Sequence, residues 1–166
     1  MKKLYLIGGT MGVGKTNACN ALKTMLPNSV FLDGDWCWDL HPFVVNDETK
    51  AMVLDNITHL LNNYLACSHL EHILFCWVMH EQTILDDLLS RLSLENVRVI
   101  PVSLVCSEEA LRARLSGDIA SGLRKRDILD RSIPRLALYE ALNTIKLDTT
   151  ELSPEETAAS IARLGQ

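Results

Sequence analysis

Gly9-Thr10-Met11-Gly12-Val13-Gly14-Lys15-Thr16 places glycine, four residues, and then Gly-Lys-Thr in fixed register. That spacing suits a loop that holds a polyphosphate. The glycines let the backbone curl until successive N–H groups face one anion, and a helix beginning after them adds its positive end. Lys15 would reach the outer phosphates and steady charge during transfer, while the Thr16 hydroxyl would ligate Mg²⁺. Asn17 follows in the first helical turn, so residues 9–17 are the candidate nucleotide-binding segment. A dinucleotide-binding fingerprint competes through Gly12-Val13-Gly14 and the acidic strand end after it, but fails at Asn17, where its third glycine should stand.

Phosphoryl transfer is mostly positioning and charge neutralisation, so the loop needs a base, a metal ligand and cations near it. Asp33-Gly34-Asp35 supplies two carboxylates. Either could orient or deprotonate an acceptor hydroxyl while the other holds metal-bound water, and Asp35 joins Thr16 as a candidate metal ligand. Both face one site only if Gly34 breaks the strand alternation; a turn or helix cap is the structural alternative. Seven of the sixteen basic residues, Arg112, Arg114, Arg124, Lys125, Arg126, Arg131 and Arg135, fall within one stretch. Arg124, Arg126 and Arg131 are the candidates to close over the phosphates, against the plainer reading of a solvated helix face. Trp36 and Trp38 would wall an acceptor pocket or pack in the core. His41 and His80 follow strand ends but read first as hydrogen-bonded structural residues, and Cys37 has no basic neighbour to make it a nucleophile.

These residues need a scaffold, and the pattern supplies one. Leu4-Tyr5-Leu6-Ile7 fits a buried strand, and Ala18, Ala21, Leu22, Met25 and Leu26 recur at helical spacing until Pro27-Asn28. Further strands are expected over 29–32, 73–78, 97–105 and 144–147. Helices are expected over 48–66, around Ile84 to Leu92, from the Ser107 cap to near Gly117, and from Ser153-Pro154 onward. Residues 117–130 lack an apolar period, contain Gly122 and three basic residues, and suit a flap; a short helix follows with Arg131, Arg135 and Tyr139. Alternating strands and helices imply an α/β fold with a parallel sheet covered on both faces, in one domain over 1–166.

Composition excludes several classes. Five scattered cysteines without Cys-x-x-Cys spacing indicate neither a disulfide framework nor a zinc site. No apolar run reaches membrane-spanning length and no signal sequence is visible, so the cytoplasm is the expected compartment and no membrane partner is expected. A net charge of −5 weighs against broad nucleic-acid binding.

On these motifs the chain resembles the small P-loop kinase group that includes the shikimate, gluconate, adenylylsulfate and chloramphenicol kinases. It is also similar to bacterial ATPases labelled nucleotide kinases. The layout is similar over nearly the whole chain. Leu32-Asp33-Gly34-Asp35 is similar to the strand-end motif of adenylylsulfate kinase, and Asp39-Leu40-His41-Pro42 to a Leu-His-Pro element of gluconate kinase. The later acceptor-binding motifs of those enzymes are not found. The resemblance implies a three-layer P-loop NTPase fold, with a five-stranded parallel sheet in order 2-3-1-4-5 and an Arg-rich flap. It also implies that an arginine ending the helix before the flap packs on adenine, which carries over to Arg114, with Arg112 as the alternative. Arg124 or Arg126 would contact phosphates, and the turn Leu147 to Thr150 would border the adenine through Thr149.

The expected activity is transfer of the γ-phosphoryl group of ATP, with Mg²⁺, to a hydroxyl or phosphate of a small-molecule acceptor. A polynucleotide 5′-hydroxyl kinase is the near alternative, weakened by the negative charge and the absence of an extended basic track. A nucleotide-binding regulatory ATPase without an acceptor is the alternative from another class. The Asn-Lys-x-Asp element that the resemblance would require of a GTPase does not occur. Acceptor choice falls to the shape around residues 35–46, 77–81 and the flap, and no motif sets an oligomeric state.

Overall fold

Alternate residues of the first strand point to opposite faces of the sheet, and they divide the core into two layers. Leu4 and Leu6 enter one buried cluster; Tyr5 and Ile7 enter the other. The computed structural model describes all 166 residues. Along the chain run β1 (Lys2–Gly8), α1 (Lys15–Met25), β2 (Ser29–Asp33), a 3₁₀ helix (Gly34–Trp38), α2 (Asp47–Ala66), β3 (His72–Cys76) and α3 (Gln82–Ser90). There follow β4 (Val97–Val105), α4 (Glu108–Ala120), α5 (Ile128–Ser132), a second 3₁₀ helix (Ile133–Ala141), β5 (Ile145–Asp148) and α6 (Pro154–Leu164).

The strands form one sheet in the order β2-β3-β1-β4-β5, with every pairing parallel. This is the P-loop NTPase order that the resemblance implied. Val53, Ile57 and Leu61 of α2 and Leu85 and Leu88 of α3 pack with Leu4, Leu6, Ile73 and Phe75. Across the sheet, Ala18, Cys19 and Leu22 of α1 and Ala158 and Ile161 of α6 pack with Tyr5, Ile7, Phe31 and Leu74. Three layers result, and the strands' carboxyl ends share one edge.

Local signals start the helices where expected. Ser107 accepts from the Ala110 N–H at 3.1 Å. Ser153 and Glu156 form a reciprocal capping box with Pro154 in the first turn. Two of the boundaries that differ from the sequence pattern have a plain structural reason. The third strand stops at Cys76 rather than Val78, because the chain turns at Met79 with φ +38°. The helix expected to end near Gly117 continues to Ala120, since Leu111 and Leu115 are buried and Ile119 packs with them against Ile128 and Leu129. Of residues 117–130, the first four thus belong to α4 and the last three to α5.

Gly34 carries the turn that follows β2. A Cβ there would lie 2.6 Å from Trp77 Cγ, so the two strand ends approach too closely for any side chain. Gly34→Ala is expected to cost about 1–3 kcal/mol by overpacking. Urea unfolding would show it as a lower midpoint; an unchanged midpoint would contradict the close approach.

Candidate active site

The loop after β1 has the shape its sequence implies. Gly12 and Gly14 take φ of +85° and +107°, values that disfavour any side chain, and a Cβ on Gly12 would also collide with Leu115. No side chain caps α1 at Gly14, so its first-turn N–H groups are left for a ligand. Lys15 Nζ folds back and donates to Gly9 O at 2.7 Å and Thr10 O at 3.0 Å. Burial beneath the loop pushes its ammonium below the ordinary lysine value, opposed by Cys76, Asp35 and Asp33. An anion above the loop would offset that desolvation better than carbonyls do. An uncapped helix start, a glycine cradle and an under-compensated lysine together fit a polyphosphate.

The two aspartates are not equivalent. Asp33 is buried and accepts the Thr16 hydroxyl at 2.7 Å on one oxygen and the Asp35 N–H at 3.0 Å on the other. It therefore caps the 3₁₀ helix while tying β2 to the loop helix. Asp35, two residues on, has an open face. Partial desolvation and, after it, repulsion from Asp33 raise its carboxyl above the ordinary aspartate value, while Lys15 and Arg124 pull it down. No group of three or more His, Cys, Asp or Glu side chains is poised to bind a metal. One hydroxyl and one or two carboxylates suit Mg²⁺, which keeps waters and takes its other ligands from phosphate.

Two cavities meet at this edge of the sheet. The first, about 620 Å³, is lined by Met11 to Asn17, Asp33, Asp35, Arg114, Arg124 and Thr149. The second, about 840 Å³, is walled by Trp36, Trp38, Phe43, Trp77 and Met79, with Arg131 and Arg135 at its edge. Asp35 and Met11 line both. Gly9 and Thr10, at the start of the loop, line neither.

The arginines divide between these spaces. Arg114 is fixed against the far end of the first cavity, donating to Val13 O at 3.2 Å and to Thr149 O at 2.5 Å, with Thr150 O also in reach at 3.3 Å. Thr149 is itself buried, its hydroxyl 3.2 Å from Arg114. Arg112, by contrast, pairs with Glu108 on the surface. Arg124 lines the phosphate side and pairs with Asp118 at 3.1 Å. Arg126 lines neither cavity, and Arg131 lies on the aromatic side, 3.5 Å from Asp127.

Some site residues were not visible as such in the sequence. Trp77 falls in the 77–81 segment expected to shape the acceptor site but is not singled out there; it sits just past the end of β3, where ligands of open α/β sheets gather. Ser132 gave no signal. Its buried hydroxyl lies 2.9 Å from the Thr10 hydroxyl and donates to Met11 O, while its carbonyl accepts from Thr10 at 2.8 Å. This hydroxyl pair joins the phosphate loop to α5. Five cysteines are free, and the neighbouring Cys19 thiol, then burial, hold the Cys76 thiol above its ordinary value.

A family model described as an AAA domain matches residues 6–132. No curated protein matches the sequence. Among solved structures, the fold is similar to a gluconokinase from Sinorhizobium meliloti, with a TM-score of 0.66 at 19% identity over 98% of this chain and 93% of that one. It is similar to shikimate kinase from Acinetobacter baumannii in complex with shikimate, with a TM-score of 0.64 at 20% identity over 99% and 92%. The Mycobacterium tuberculosis APS kinase in complex with AMPPNP and APS gives a TM-score of 0.61 at 13% identity over 98% and 96%.

Thr10→Val and Ser132→Ala should each destabilise the protein by about 1–3 kcal/mol, because each leaves a buried polar partner unsatisfied. The double variant should cost less than the sum of the two. Strict additivity in denaturant unfolding would contradict the coupling of loop to helix.

Proposed function

The chain belongs to the AAA domain family, and on that premise we propose that it is an ATP-dependent phosphotransferase acting on a small-molecule hydroxyl. The observation that carries this reading is the position of Asp35, whose carboxylate borders the phosphate cavity and the aromatic cavity at once. A kinase needs its base at such a junction, since the acceptor oxygen must meet the terminal phosphorus in line. That the similar structures include a gluconokinase and a shikimate kinase supports the reading.

In this mechanism the loop amides of residues 12–17 hold the phosphate oxygens, and Lys15 exchanges its loop carbonyls for the outer phosphates. Thr16 and the Asp33 bonded to it are the residues that would hold Mg²⁺, with Asp33 favoured over Asp35 on that side. Mg²⁺ supplies charge neutralisation on the phosphates when bound. Asp35 accepts the acceptor's hydroxyl proton as the new O–P bond forms. The bond between Pγ and the β,γ-bridging oxygen breaks, and ADP leaves. Arg124 supplies positive charge from the phosphate side, and Arg114 with Thr149 borders the base of the nucleotide. Arg131 lies nearer the acceptor, and Arg126 would act only after the segment carrying it moved inward. An acceptor-free regulatory ATPase is the weaker reading, because such a protein has no need of a second cavity of about 840 Å³ beside its base.

Lys15→Ala should abolish acceptor-dependent ADP release with its circular dichroism unchanged. Asp35→Asn should lower kcat by about a hundredfold or more. In the wild type the rate should rise with pH through an inflection above the ordinary aspartate value of 3.8, because the base works deprotonated and its carboxyl is raised. That limb should vanish in Asp35→Asn; a limb unchanged in the variant would remove Asp35 from the base role.

A further inference from the structure

All three tryptophans of the chain, Trp36, Trp38 and Trp77, line one cavity. They arrive from two separate segments, the 3₁₀ helix after β2 and the turn after β3. Trp38 and Trp77 rest one side on the buried core, and core packing does not account for the faces they and Trp36 turn to the cavity. Trp36 is 57% exposed and Phe43 65% exposed, so the cavity wall presents large apolar groups to water. Such contiguous apolar exposure at a concave site marks a binding surface. No indole is face-stacked on another ring: Trp38 and Phe43 are tilted at 50° with centroids 5.9 Å apart, and Trp36 meets Phe31 edge-on.

The polar side chains here, Asp35, Asp39, Lys50, His80, Arg131 and Arg135, are unevenly committed. Lys50 lies 3.9 Å from Asp47, and Arg131 lies 3.5 Å from Asp127. Arg135 has no hydrogen bond or ion pair, and lines the cavity together with His80. The His80 Nδ1 is buried without a partner. Burial, then Arg135, lowers the His80 value, so its imidazole is neutral at neutral pH. A polyol entering this space would set hydroxyls against the indoles, Phe43 and Met79 of the mainly apolar wall, at the cost of unsatisfied hydrogen bonds. A flat ring would instead cover the exposed indoles, and one oxygen on it would satisfy Arg135. The volume, about 840 Å³, lies toward the upper end of the range of about 300–1,000 Å³ common for drug-sized ligands.

Resting on the kinase reading above, we propose that the acceptor is a hydroxyl compound built on a planar aromatic or heteroaromatic ring carrying an oxygen acceptor group. The ring lies among Trp36, Trp38 and Trp77, the oxygen acceptor meets Arg135, and the hydroxyl reaches Asp35. Polyols and sugar acids are poor occupants of this cavity.

Because every tryptophan lines this cavity, indole emission reports its occupancy without nucleotide and without turnover. The test titrates wild type and Lys15→Ala with aromatic primary alcohols, among them uridine and tyrosinol, and with non-aromatic partners, among them gluconate, shikimate and cyclohexylethanol. Excitation at the red edge of the indole band avoids the ligands' own absorption. The aromatic set should give saturable changes about tenfold tighter than the non-aromatic set, in both proteins. Trp36→Leu, a change at an exposed position, should remove most of that preference. Equal or tighter binding of the polyols, or no saturable change with any aromatic alcohol, would overturn the proposal. ADP release is read in parallel on the wild type. Aromatic binding without ADP release would sink the kinase reading and leave the cavity a ring-binding site, whereas turnover of polyols alone would keep the kinase and sink the proposed acceptor.

Discussion

The hydrogen bond from Thr16 to Asp33, 2.7 Å long, joins the two halves of the site. Thr16 lies in the first turn of α1, whereas Asp33 ends β2, and β3 separates β2 from β1 in the sheet. The bond exists only because α1, which leaves the end of β1, packs back over the sheet. Ala18, Cys19 and Leu22 fix its distance from the strands through contacts with Phe31, Leu74 and Cys76. The geometry of a parallel sheet thus brings a carboxylate to a phosphate loop from a distant edge strand.

Asp35 follows from Asp33. The strand ends at the first carboxylate, Gly34 turns the chain against Trp77, and the 3₁₀ helix carries the second carboxylate to the boundary between the cavities. Partial burial first, and Asp33 beside it second, raise the Asp35 carboxyl, while the Asp33 oxygens are taken by a hydroxyl and a backbone amide. Asp35 is left raised and open to an acceptor, with Lys15 and Arg124 pulling the other way. In the proposed mechanism a metal-side carboxylate and a general base arise from one tripeptide, set apart by environment alone.

The loop was legible in the sequence because each of its requirements is local: glycines where φ is positive, and an uncapped helix start after them. The strands and their order were legible from apolar runs and from the resemblance they support. The Asp pair was legible as a pair, but not its division of labour, which depends on a turn held by Trp77 from another strand. Arg131 read like a phosphate contact because charge carries no direction in a sequence; α5 places it, with Arg135 of the 3₁₀ helix that follows, on the aromatic cavity. Gly117 read as a helix stop, yet Leu111, Leu115 and Ile119 carry α4 past it, a tertiary effect outweighing local propensity. The Thr10–Ser132 pair lies 122 residues apart in sequence and had no pattern to announce it.

The most direct test is calorimetric titration of Mg·ATP, set against Mg·GTP, into wild-type and Lys15→Ala protein whose folds are matched by circular dichroism. Lys15, held by its own loop's carbonyls at 2.7 and 3.0 Å, should release them for phosphate. Binding that prefers ATP and weakens at least tenfold in the folded variant is the predicted result. Well-folded wild type that binds neither nucleotide, or a variant that binds ATP as tightly as wild type, would contradict it.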